Sequence, residues 1–200
     1  MNKGYFSISF EGGERISPEQ FGYLLIKWSH EGAMAALNGL KGTEYSKSPL
    51  ATAILRNGFL GYIQLLAIHA ATYTFYVSKF LRVPNEVHDQ VRIGIDNAIK
   101  VTRNGNGDFL DSSQAQFLRG SIGAYQKANN EDFSSSQVDD GDAFKVDAIA
   151  QKFFEITTPL FPEIKGVSAL DHLLLGNVIS ELPTVLCKAL KEDIRLSYVA

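Results

Sequence analysis

The sequence predicts a mainly α protein: a single-domain bundle of six or seven helices around a buried central helix at about residues 49–82, with a small β-ribbon from the two termini. Three observations predict it. Residues 57–78 carry no Asp, Glu, Lys or Arg, and most of these positions are apolar. Elsewhere apolar residues recur at steps of three and four, bounded by helix-capping residues and prolines. The composition, 45% hydrophobic and 20% charged over 200 residues, is that of one globular domain with a sizeable core.

The uncharged stretch must leave water, for lipid or for the rest of the chain. Its length suits a membrane span, which needs roughly 20 apolar residues. Its interior does not, because Gln64, His69, Thr72, Thr74 and Ser78 interrupt it and polar groups in hydrocarbon are costly. Wound as a helix, Phe59, Ile63, Leu66, Ala70, Tyr73 and Val77 form one stripe, while Leu65, Ile68 and Phe75 cover a neighbouring face. A helix apolar on most sides belongs in a core. No membrane association is expected. With no apolar leader in residues 1–7 and a single cysteine, Cys187, the expected location is the cytoplasm. Cys187 lies in an apolar context and reads as an inert buried thiol.

The elements follow in order. Phe6, Ile8 and Phe10 alternate with serines, a strand pattern, and Ile194, Leu196 and Tyr198 alternate at the other end. A lone strand leaves its backbone unpaired, so the two ends are expected to pair. Ser17-Pro18-Glu19-Gln20 reads as a capping box with proline at the first helical position, opening a helix to about Leu40 with Phe21, Leu24, Leu25, Trp28 and Leu37 inward. Lys41–Ser48 is a polar loop. Ser48-Pro49 opens the central helix, which ends near Arg82 because Pro84 cannot continue it. Gly58 and Gly61 permit close helix approach, within one chain or between two. Asn85 is expected to cap a helix whose buried stripe is Val87, Val91, Ile95, Ala98 and Ile99. Asn104–Gly107 is a turn. Asp111-Ser112-Ser113-Gln114 resembles a second capping box, for a helix through about Ala128. Further helices are expected at Ala143–Thr157 and from Ser168, the latter interrupted at Pro183. No internal repeat is visible.

Charge is uneven. Residues 131–147 hold six acids against one base, a net of −5, so the rest of a chain whose overall charge is −3 carries +2. With Ser134-Ser135-Ser136, residues 129–142 read as an exposed acidic, serine-rich loop. The overall charge argues against a nucleic-acid partner, although it leaves room for a local basic patch. Asp132, Asp139, Asp140 and Asp142 are candidate contacts for a basic partner protein.

Motifs that carry chemistry are few. No Walker A or dinucleotide-binding loop is present, no cofactor is implied and no metal set is assigned. Asn104, Asn106 and Asp108 share the alternate spacing of the first calcium ligands, but Phe109 stands where that loop needs glycine. His30 and His172 read as surface histidines. His88-Asp89 at a helix start resembles the core of the all-helical, metal-dependent phosphohydrolases named after that dipeptide. The resemblance implies a metal that activates water, held also by an upstream His and a downstream Asp, for which His69 and Asp147 are available. It covers two adjacent residues, and Pro84-Asn85-Glu86-Val87 replaces the apolar run that usually precedes the pair. Arg82 and His88 also resemble the Arg–His spacing of helical ribonucleases of the HEPN type, with Pro84 breaking the helix that motif needs. Finally, Tyr62, His69 and Tyr76 are seven apart on one face of the central helix, with Tyr73 beside them. They either converge on a ligand or are satisfied by neighbouring helices.

Two roles are therefore expected: a protein-binding module (inhibitor, immunity protein, adaptor or phage-type accessory factor) that uses the acidic loop, or a small helical phosphohydrolase or ligand-binding protein that uses His88-Asp89 or the Tyr62/His69/Tyr73/Tyr76 face.

Overall fold

The computed structural model describes residues 4–8, 14–42, 49–56, 58–103, 107–135, 147–160 and 185–200. The fold is mainly α with a small sheet. Strands β1 (Tyr5–Ile8), β2 (Glu14–Ile16) and β3 (Ser197–Val199) accompany helices α1 (Pro18–Gly42), α2 (Pro49–Arg56), α3 (Gly58–Lys79), α4 (Asn85–Val101), α5 (Ser112–Ser135) and α6 (Asp147–Thr157). Residues 185–188 are helical and run into a π-helical turn, Ala189–Asp193.

The two chain ends do pair. Tyr5, Phe6 and Ser7 lie antiparallel to Val199, Tyr198 and Ser197. A third strand not foreseen in the sequence, β2, pairs with the other edge of β1, giving the order β2-β1-β3. Alternation places Phe6, Ile8 and Ile16 on the buried face. There Phe6 stacks on Phe21 at a centroid distance of 4.0 Å, which ties the sheet to α1. The expected strand from Ile194 begins only at Ser197, because Ile194 keeps helical backbone after the π-helical turn and Arg195 takes the left-handed region at φ 51°.

Both capping boxes form. The Ser17 amide donates to Gln20 Oε1 at 3.1 Å and the Gln20 amide to Ser17 Oγ at 3.3 Å. The Asp111 amide donates to Gln114 Oε1 at 3.1 Å and the Gln114 amide to Asp111 Oδ1 at 2.8 Å. These bonds satisfy amides that the first helical turn leaves without partners. Asn85 does not cap α4. It is the first helical residue, and Pro84, with extended backbone, holds the N-cap position without a side-chain bond.

The expected single central helix is two helices. A straight helix separates residues seven apart by about 10 Å, yet a Cβ added to Gly61 would stand 2.9 Å from the Ile54 carbonyl oxygen. So α2 turns back on the first turns of α3, and Gly61 serves an approach within the chain. Helix α3 ends at Lys79. Arg82 follows in the left-handed region with φ 47°.

Helix α3 lies between α1 and α5, with α4 packed on α1 and α6 on α5. All side chains from Tyr62 to Tyr73 are buried. At about 1.5–3 kcal/mol for each large apolar side chain removed from water, this helix is the centre of the core. No helix among the described residues is long and apolar enough to cross a membrane. The expected stripe of α4 (Val87, Val91, Ile95, Ala98 and Ile99) is buried in full.

Helix α4 crosses α1 with backbone against backbone. A Cβ on Gly94 would meet the Glu19 carbonyl oxygen at 2.0 Å, and one on Gly22 would meet the Val91 carbonyl oxygen at 2.1 Å. Only glycine permits that approach. Helix α5 runs past Ala128 to Ser135, so residues 129–135, expected in a loop, are helical. Asn129 is buried, and Asp132 stands on a helix. Asp139, Asp140 and Asp142 lie outside the described residues, as do Asn104, Asn106, His172 and the helix expected from Ser168. Helix α6 covers Asp147–Thr157, residues 143–146 of the expected helix lying outside the described residues, and buries Ile149, Ala150, Phe153 and Thr157.

Candidate functional site

The polar groups of α3 divide between its two neighbours. Tyr62 and the His30 ring Nδ1 of α1 are hydrogen-bonded at 2.6 Å. His69 Nδ1 is bonded to the Leu65 carbonyl oxygen at 2.7 Å, and its Nε2 edge abuts Gly32, where a Cβ would come within 2.6 Å. Tyr73 packs edge-on against Trp28, and Tyr76 stacks on Phe80 at 5.0 Å. Tyr62, His69 and Tyr73 face α1, the His69 and Tyr73 rings lie 6.5 Å apart, and the Cys187 thiol bears on both Tyr73 and Tyr76. Burial raises the Tyr62 hydroxyl above its usual range and lowers His69 below its own, the Leu65 carbonyl opposing the second shift. Tyr73 is pushed up to about 12 by burial, with Glu31 and Cys187 adding to it. Cys187 is buried and likewise pushed up to about 12 by desolvation, so its thiol stays protonated and unreactive.

Towards α5, Gln64 Nε2 donates to Ser121 Oγ at 3.1 Å, and the Tyr125 hydroxyl donates to Gln64 Oε1 at 2.7 Å. All three side chains are buried. Gln126 Nε2 donates to Thr74 Oγ1 at 2.8 Å, and that hydroxyl shares its own proton between the Ala70 and Ala71 carbonyls. Most of the polar interruptions of the apolar stretch are therefore anchors to α5 or bonds to its own backbone. Thr72 Oγ1 and Asn129 Nδ2 are buried and have no hydrogen-bond partner among the described residues.

His88 lies on the rim of a cleft of about 310 Å³ that opens between α4 and α5 over α3. Val77, Val91, Ile95, Ile99 and Ile122 make its apolar floor, and Thr74, His88, Arg92, Asp96, Arg119 and Gln126 its polar margin. The two walls come from helices that pack on different neighbours, α4 on α1 and α5 on α3 and α6. Arg119 Nε donates to Asp96 Oδ1 at 2.8 Å and so reaches across from α5 to α4. Arg92 pairs with Asp89 at 3.2 Å in the open.

The adjacent residues of the His88-Asp89 dipeptide part company, because successive helical positions point about 100° apart. His88 turns to the cleft, while Asp89 is exposed and paired with Arg92. The structure does not bring His69 to His88, since His69 is held against α1. Among the described residues no group of three His, Cys, Asp or Glu side chains is placed to hold a metal ion. Arg82 and His88 stand on either side of the helix break at Pro84.

A second groove, of about 250 Å³, lies between α1 and the end of α4. It is lined by Tyr23, Ile26, Lys27, His30, Ala98, Val101, Thr102 and Arg103. Arg103 Nη1 donates to the Gly107 carbonyl at 2.5 Å, and its guanidinium sits 4.3 Å over the Phe109 ring. An antiparallel bridge joins Arg103 to Phe109, and Gly107 between them has φ 88°, a value that glycine adopts without strain.

Arg92, Arg119 and Gln126 went unnoticed in the sequence. Each is an ordinary polar residue on an exposed helical face, and only the placement of α4 beside α5 collects them. Compared with protein-family models, with curated proteins and with solved structures, the chain finds no match.

Proposed function

We propose that the protein is a binding module whose α3–α4–α5 cleft takes a small amphiphilic anion, a carboxylate or phosphate on a short apolar body. One observation carries the reading: His88, Arg92 and Arg119, from two helices, stand around an apolar floor in a space of small-ligand size. Arginine presents five donors, and the pair with Asp96 engages Arg119 through Nε. An incoming oxyanion can therefore bond to the rest of that guanidinium. The Arg92–Asp89 pair is mostly exposed, and such pairs contribute little, so a ligand competes for Arg92 at small cost. Binding is favoured over hydrolysis because Asp89, the second residue of the hydrolase dipeptide, is exposed and paired with Arg92 and does not line the cleft.

Hexanoate and hexyl phosphate are suitable probes, followed by amide chemical shifts of labelled protein. Saturable shifts should concentrate on α4 and α5. Arg92→Ala with Arg119→Ala should weaken them about tenfold or more, since a hydrogen bond to a charged group contributes on the order of 1.5–3 kcal/mol. Equal affinity in the double variant, or shifts confined to other elements, would refute the site.

A further inference from the structure

The groove between α1 and the end of α4 shares no lining residue with the cleft. Its chemistry differs. On α1, Tyr23, Lys27 and His30 are spaced i, i+4 and i+7, so they form one stripe along the helix. Arg103 faces them from the other wall. Among the described residues no Asp or Glu lines the groove, so the described lining, with Lys27 and Arg103, is cationic in a chain of net charge −3. Around it stand three half-exposed apolar residues, Tyr23 at 48%, Val101 at 49% and Phe109 at 56%. Apolar side chains gathered beside one groove and rimmed by polar groups are the kind of exposed patch that marks an interaction site.

Two of the polar groups are held in place before any partner arrives. The His30 ring is fixed through Nδ1 by the buried Tyr62. The Arg103 guanidinium is held by the Gly107 carbonyl and stacked over Phe109. A guanidinium fixed in this way loses little freedom on meeting a carboxylate.

We infer that this face docks an acidic, apolar-studded segment of a partner protein, with carboxylates on Lys27 and Arg103 and apolar side chains against Tyr23, Val101 and Phe109. Tyrosine, arginine and phenylalanine around one groove match the composition of binding hot spots. The charge complementarity favours a peptide over a nucleic acid. Two lysine or arginine side chains neutralise few phosphates, and the chain's overall negative charge opposes a long polyanion, whereas a short acidic segment feels the local field.

Panning a random dodecapeptide display library against the whole protein tests the inference. Selected peptides should be rich in Asp and Glu interspersed with apolar residues. By fluorescence anisotropy they should bind the Lys27→Glu/Arg103→Glu variant at least about tenfold more weakly, the scale of one close charge pair. Tyr23→Ala/Phe109→Ala should weaken them as well. All four residues are exposed, and circular dichroism verifies that each variant keeps its fold. Failure to select acidic peptides, selected peptides that bind the charge-reversed variant unchanged, or tighter binding of single-stranded oligothymidine would each overturn it. Variants of Arg92 and Arg119 should leave this binding intact, so the outcome is independent of the cleft.

Discussion

Helix α4 meets its two neighbours in opposite ways. Against α1 it lies backbone to backbone, with Gly94 under the Glu19 carbonyl and Gly22 under the Val91 carbonyl. Towards α5 it is joined across the cleft by the side chains of Asp96 and Arg119. The first contact is closed to the size of a methyl group. The second leaves a space of about 310 Å³. The difference shows how one helix serves two ends: glycines at one crossing fix its position, and long side chains over the other gap leave room for a ligand.

The same Gly→Ala change tests both sides. Gly94→Ala should produce the largest loss, about 3 kcal/mol, because its new Cβ collides with backbone that cannot rotate away. Urea denaturation measures it, and a loss below about 1 kcal/mol would mean that α1 and α4 do not pack as closely as described. Tyr125→Phe comes next. It leaves the buried Gln64 Oε1 without its donor, at about 1–3 kcal/mol, again read from denaturation midpoints. Gly123→Ala, on the cleft wall, has nothing within 4 Å of the new Cβ. It should stabilise by up to about 1 kcal/mol through helix propensity, while narrowing the space for hexanoate. Asp96→Ala should cost less than about 1 kcal/mol, because its pair with Arg119 is partly exposed.

The buried face of α3 against α1 makes a prediction in pH. Burial depresses His69 below its ordinary value. Between the depressed folded value and the unfolded value near 6.5, the unfolded chain binds the proton and the folded chain does not. The stability associated with neutral His69 is therefore complete above the unfolded value and lost as pH falls below it. Thermal melts of the wild type should lose stability from pH 7 to pH 5, and His69→Gln should flatten that part of the profile. An unchanged slope in the variant would place the proton uptake on another group.

Much of this fold is legible in local signals. Ser17 with Gln20 and Asp111 with Gln114 mark helix starts because the capping bonds are made within four residues. The stripe of α4 is legible because a helix packed on one side repeats its apolar positions every three or four residues. The two-stranded core of the sheet follows from alternation at both ends. The errors lie where position depends on something distant. Helix α2 turns back from α3 because Ile54 finds room over Gly61, which no periodicity announces. Asn129 is polar and reads as loop, yet it is buried because α3 and α6 pack around α5. The candidate residues divide in the same way. His88 and Asp89 are neighbours in the chain, but helical geometry sends one to the cleft and the other to solvent.

By itself the sequence determined a helical protein with one strongly apolar helix at its centre, since the apolar period, the caps and the prolines act over a few residues and need no knowledge of the rest. Tertiary structure alone decided which polar groups meet: Tyr62 with His30, Gln64 with Ser121 and Tyr125, and the arginines of α4 and α5 around one cleft. Those meetings depend on how closely two helices can approach, and that distance is set by the side chains, or the lack of one at Gly22 and Gly94, at the point where they cross.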